Sequence, residues 1–151
     1  MKVQMTFLLL GFLVISARST LGSNLIDVVN AETATPQEIQ RAIQGGADPN
    51  GIDSVGRTAL MLAAAWNPDP EVVATLIRTG AKVNARGPQG WTALMMAAYN
   101  NPNPKVVIEL LRSGADPRLK SQAGNTAYVY AQDNDKLKGT EAMRMLKAAG
   151  R

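Results

Sequence analysis

The sequence predicts an all-α solenoid of stacked helix-turn-helix pairs joined by hairpin-like loops, about four units including the two end caps. Three observations predict it. Short words recur at a spacing of 34 residues: Thr58, Thr92 and Thr126 open three segments, and Gly46, Gly80 and Gly114 close three. Within the segments, apolar residues fall at helical spacing on either side of a proline-rich turn. Each helix pair is too small to bury its own apolar stripe, so neighbours must cover one another.

The words agree along the whole unit. Thr58 to Ala65 reads TALMLAAA and Thr92 to Tyr99 reads TALMMAAY; Pro70 to Val73 (PEVV) matches Pro104 to Val107 (PKVV), with Pro36 to Ile39 (PQEI) a fainter copy. GADPN at 46–50, GAKVN at 80–84 and GADPR at 114–118 complete the unit. Thr58 and Thr92 stand where an N-cap hydroxyl serves the free backbone NH groups of a first helix, followed by the helix formers Ala, Leu and Met. Asn-Pro-Asp-Pro at 67–70 and Asn-Pro-Asn-Pro at 101–104 stop that helix, and the second proline of each starts the next. In the second helix Val72, Val73, Leu76 and Ile77, and likewise Val106, Val107, Leu110 and Leu111, form one apolar stripe. Gly80 and Gly114 end it in the left-handed conformation open to glycine. The stretches to Gly90 and Gly124 are rich in turn formers and suit a hairpin-like connector.

These words resemble the ankyrin repeat over roughly residues 24–150, most closely in the units 57–90 and 91–124. The outer units, 24–56 and 125–150, read as caps. The first has only Ile26, Val28, Val29, Ile39 and Ile43 as its apolar set. The last has Tyr128 where Leu60 and Leu94 stand, a charged loop from Asp133 to Gly139, and a closing helix from Thr140 to Ala149 with Met143 and Leu146 inward. Three departures from the family pattern carry expectations. Ala59 with Met61, and Ala93 with Met95, replace the family's Pro and His, so stability is expected to lean on apolar packing. The unit is one residue longer than the common form, in the Asn-Pro-x-Pro turn. Arg118 replaces the Asn seen at Asn50 and Asn84, and Gly87 the Asp seen at Asp53, so the hairpins after the second and third units are expected to be less tightly braced.

The amino end reads as an address. Met1 and Lys2 precede an uncharged stretch whose most apolar part, Phe7 to Ile15, is about as long as a signal-peptide core and short of the ~20 residues of a membrane span. Small residues at Ala17, Ser19 and Gly22 offer cleavage points, of which Gly22 is favoured. The expected organisation is therefore a signal peptide at 1–22 and a repeat domain at 23–151. The membrane is met only in transit, and the location is periplasmic or extracellular, the form a small exported bacterial protein would take. The alternative for the leader is an N-terminal core helix or an uncleaved anchor.

Composition narrows the function. The chain has 151 residues, 46% of them hydrophobic, enough for one domain with a continuous core. Its 16 basic and 12 acidic residues include Lys2 and Arg18 in the leader, so a processed chain carries +2, with the charges scattered. That is a poor match to a nucleic-acid surface, which clusters Lys and Arg. Cys and His are both absent, which removes thiol nucleophiles, disulfides, imidazole bases and the usual zinc ligands. Asp133, Asp135 and Glu141 fit no calcium loop and read as a solvated loop, and Met61, Met95 and Met96 read as core fillers. No cofactor, metal or enzymatic activity is expected.

The resemblance implies a protein partner held on a concave groove lined by hairpin tips and the exposed side of the first helices. Carried over by position, that groove includes Ser54, Val55, Arg57, Ala65 and Trp66 in one unit. The next contributes Pro88, Gln89, Trp91, Tyr99 and Asn100, and the last Gln122, Ala123, Asn125 and Asp133. Both Trp residues and Tyr99 fall at positions the family leaves exposed, where aromatic side chains are the usual interface anchors. The competing reading makes Trp66 and Trp91 shields over the Ala-rich helices of a neighbour. The alternative function is a structural or protective envelope module that binds glycan or a membrane surface through Arg57, Arg86, Arg118 and Lys120.

Overall fold

A computed structural model describes residues 24–29 and 33–150; the expected leader lies outside the described residues. Among the described residues eight α-helices follow in order: α1 (Leu25–Val29), α2 (Pro36–Gln44), α3 (Ala59–Trp66), α4 (Pro70–Arg78), α5 (Ala93–Asn100), α6 (Pro104–Arg112), α7 (Ala127–Ala131) and α8 (Glu141–Ala149), with a 3₁₀ turn at Pro88–Gly90 before α5. Two layers result. The first helices α1, α3, α5 and α7 pack in sequence, the second helices α2, α4, α6 and α8 do the same, and each pair also packs within itself.

Local chemistry sets the helix ends. The Thr58 and Thr92 hydroxyls accept from the Met61 and Met95 amides at 3.2 and 3.3 Å, as the N-cap reading requires. Thr35 and Glu38 form a reciprocal capping box on α2, while Thr126 caps α7 without a side-chain bond. Pro70 and Pro104 open α4 and α6 behind Asp69 and Asn103, whose side chains accept from the Glu71 and Lys105 amides. At the other end Gly80 and Gly114 take φ of 111° and 94°. The amides that follow them, Ala81 and Ala115, reach back to Leu76 and Leu110, closing the helix in a Schellman motif.

Burial follows the sequence pattern. α3 is apolar all round and buried from Ala59 to Ala65, whereas α4 and α6 bury one stripe, led by Val72, Val73 and Leu76, and by Val106, Val107 and Leu110. The three connectors have no strand among the described residues. Each closes instead through two backbone bonds at the same register: Asp53 N to Arg57 O, Gly87 N to Trp91 O and Ser121 N to Asn125 O at 2.8–2.9 Å, and Gly56 N to Asp53 O, Gly90 N to Gly87 O and Gly124 N to Ser121 O at 2.9–3.0 Å.

The expectation of mainly apolar cohesion is corrected by two ladders of asparagine. In the turn between helices, Asn67, Asn101 and Asn134 are buried. Asn101 donates through Nδ2 to the carbonyls of Ala64 and Asn67, both at 2.8 Å, and accepts the Asn103 amide on Oδ1. Asn134 repeats this on Ala98 and Asn101, and Asn67 reaches Ala34. The acceptors of Asn101 and Asn134 lie at the carboxyl ends of α3 and α5, where helix carbonyls lack intrahelical partners. On the other edge Asn50 and Asn84 reach forward, donating to Gly80 O and Gly114 O and accepting from the amides of Lys82 and Asp116. The extra residue of the turn thus sits beside a polar seam that stands in for the missing histidine.

The same bonds revise two smaller expectations. The loop from Asp133 to Gly139 is charged at its surface but held from beneath by Asn134 and by Leu137, which is fully buried. The second hairpin, which lacks a carboxylate at Gly87, is braced by its neighbour instead: Gln89 O accepts the Gln122 amide at 2.8 Å and Arg86 donates to Lys120 O. Gly87 leaves room for the buried Met61: a Cβ there would stand 2.7 Å from its Sδ and force that side chain to shift. Arg118 makes no clamp of the Asn50 kind and pairs with Asp116 of its own loop.

Candidate partner-binding groove

The hairpin tips around Val55 and Pro88, together with the first helix α5, enclose a shallow cavity of about 310 Å³, lined by Val55, Arg57, Pro88, Gln89, Trp91, Met96, Tyr99 and Asn100. Seven of these are residues singled out from the sequence. Val55 is 59% exposed and Tyr99 48%, so apolar surface is open here. Trp91 is half-buried. Its ring lies 4.3 Å from that of Tyr130 and meets Tyr99 edge-on at 5.9 Å, and Tyr99 and Tyr130 close the triangle at 6.2 Å. Tyr130 is itself fixed by a 2.9 Å hydrogen bond between its hydroxyl and that of Ser121. Trp91 therefore both braces the following unit and shows an edge to the groove.

Seven expected groove residues lie outside the cavity lining. Ala65 is 2% exposed: it holds the register of Tyr99, but a methyl group ends below the surface that the tyrosine ring extends through. Trp66 is 51% exposed, yet it makes no ring contact with the aromatic triangle and does not line the cavity. Asn100, which holds the Trp66 register, does line the cavity, because the cavity takes its helical residues from α5 and none from α3. Ser54, Gln122, Ala123 and Asp133 are exposed and Asn125 is half-buried, all outside the cavity lining. Met96 and Tyr130 were read as core or not at all. Both stand four residues after a capping threonine, a shared register that marks the groove side of the first helix.

The charges near the groove are largely committed. Arg57 pairs with Asp53 at 2.7 Å, Arg118 with Asp116 at 3.3 Å, and Arg86 is bound to the Lys120 carbonyl. Burial pushes the Asp53 carboxyl up, but hydrogen bonds from the Arg57 amide and guanidinium and the Val55 amide outweigh it and hold its pKa below the ordinary value. A depressed folded-state pKa stabilises the hairpin above the ordinary carboxylate range, and that support is lost as pH falls through the folded value. In an acid titration followed by NMR, the amide signals of Val55 and Arg57 should move together below about pH 4. Those of Gly87 and Gly90, whose hairpin has no carboxylate, should not follow. A common midpoint for both hairpins would contradict the brace.

The comparisons decide the family. The sequence matches the family model described as ankyrin repeats (3 copies) over residues 28–121 and 60–149, which together span most of the chain. The chain belongs to the ankyrin-repeat family. No curated protein matches it at a significant level. Ankyrin repeats are generally protein–protein interaction modules and typically non-catalytic, and the stacked helix pairs described above are an ankyrin-repeat solenoid.

Proposed function

We propose that this ankyrin-repeat protein is a non-catalytic interaction module, exported to the periplasm or the cell exterior, that holds a partner protein in the groove between Val55 and Tyr99. One observation carries the reading: Trp91, Tyr99 and Tyr130 are locked into a rigid triangle at the edge of a groove whose neighbours, Val55 and Met96, are apolar. Preordered aromatic anchors lose little conformational freedom on binding and dominate interface energies. The envelope-binding alternative is less favoured because Arg57 and Arg86 already have internal partners. Export rests on the leader sequence, Met1 to Gly22.

Photo-crosslinking tests both halves. A photoreactive residue at Val55 should give a discrete protein adduct in exported material, and the same residue at the exposed Lys105 should not. With the partner in hand, Tyr99→Ala should weaken binding by about 2 kcal/mol with little change in melting, while Trp91→Ala should lower both affinity and stability. Equal adducts from both positions, or full affinity in Tyr99→Ala, would remove the groove. A recovered chain that retains Met1 to Ile15, instead of beginning near Ser23, would remove export.

A further inference from the structure

At the carboxyl end of the stack, Tyr128 holds the register of Leu60 and Leu94. When Leu146 is aligned with Leu76 and Leu110, Met143 holds that of Val73 and Val107. The four internal residues are buried, but Tyr128 and Met143 are only half-buried. They line a shallow cavity of about 380 Å³ together with Gln132, Lys138, Arg144 and Lys147. Among the described residues no carboxylate lines it. Arg144 and Lys147 make no ion pair among the described residues. Lys138 is paired with Asp135, but both side chains are more than half exposed, and such pairs exchange readily.

We propose that this end cavity, separate from the groove, docks an acidic polypeptide segment carrying one large apolar side chain. Capping repeats need a polar outer face, and three cations supply it here. They surround apolar surface instead of replacing it. An apolar side chain covering Tyr128 and Met143 would bring neighbouring carboxylates against Lys138, Arg144 and Lys147, so the surface asks for both chemistries at adjacent positions. A recess with its apolar part half-buried between exposed cations fits a chain segment better than a flat bilayer, which favours protruding apolar groups.

The probe is a labelled Glu-rich peptide with a single central Phe, titrated with the whole protein and read by fluorescence anisotropy. Replacing its Phe by Ser, or its Glu residues by Gln, should each weaken binding about tenfold or more. The protein variant combining Arg144→Glu and Lys147→Glu should do the same with an unchanged melting curve, since both side chains are exposed. If that variant melts differently, Lys147→Glu alone carries the comparison. Tyr99→Ala in the groove should leave peptide binding unaltered, which separates this docking surface from the other. Indifference to the Phe would reduce the surface to unspecific charge attraction and overturn the proposal. So would full binding by the Glu variants, or stronger association with phosphatidylglycerol vesicles than with the peptide.

Discussion

Replacing Asn101 by Ala should destabilise the protein by about 3 to 5 kcal/mol and lower its melting temperature by roughly 10 °C or more. Asn101 is fully buried, and its amide is the partner of two carbonyls and one backbone NH. Truncation strands those groups away from water, at about 1 to 3 kcal/mol for each left unsatisfied. Asn101→Asp has the same shape but cannot donate to Ala64 and Asn67 while ionised, and should be at least as damaging near neutral pH. Thermal unfolding by circular dichroism checks both. A Asn101→Ala protein melting within a few degrees of the parent would mean that the seam adds no net cohesion.

Leu94→Ala should cost about 2 to 5 kcal/mol through the cavity it opens. Leu94 is 1% exposed on α5, which packs between α3 and α7, so the void falls in the middle of the inner layer. Each unit touches only its neighbours, and a weakened centre has no separate core to fall back on. The loss should therefore appear as a lower midpoint of one cooperative transition in urea. An unchanged midpoint would place Leu94 outside the inter-repeat core.

The helices were legible because their signals are local. A threonine before an alanine run, a proline three residues past an asparagine and a glycine after an apolar stripe act within a turn of where they stand. The groove was legible where register alone decides exposure, as at Val55, Trp91 and Tyr99. It failed where side-chain length or the neighbouring element decides: Ala65 is too short to reach the surface its register faces, and Trp66 stands on α3, which contributes nothing to the cavity. Tyr130 went unnoticed because its role depends on Trp91, distant in sequence and 4.3 Å away between ring centres. The asparagine ladders were hidden for a similar reason. Asn67 and Asn101 look like ordinary turn formers, and only the neighbouring unit reveals their second set of bonds.

Those ladders run in opposite directions, and that gives the array a property of its own. A unit such as 91–124 sends the Asn101 amide back to its predecessor and accepts the forward Asn84 clamp at Gly114 and Asp116. It offers Ala98 and Asn101 carbonyls to its successor. Toward its predecessor such a unit presents both a plug, the Asn101 amide, and a socket for the Asn84 clamp; toward its successor it offers only the Ala98 and Asn101 carbonyls, because Arg118 makes no clamp. A duplicated 57–90 cassette, which carries both Asn67 and Asn84, set between the two central units would find its polar partners waiting on both flanks. Lengthening by gene duplication is thus chemically seamless in the middle of this array, and seams of the wrong polarity would arise only where a cassette met a cap.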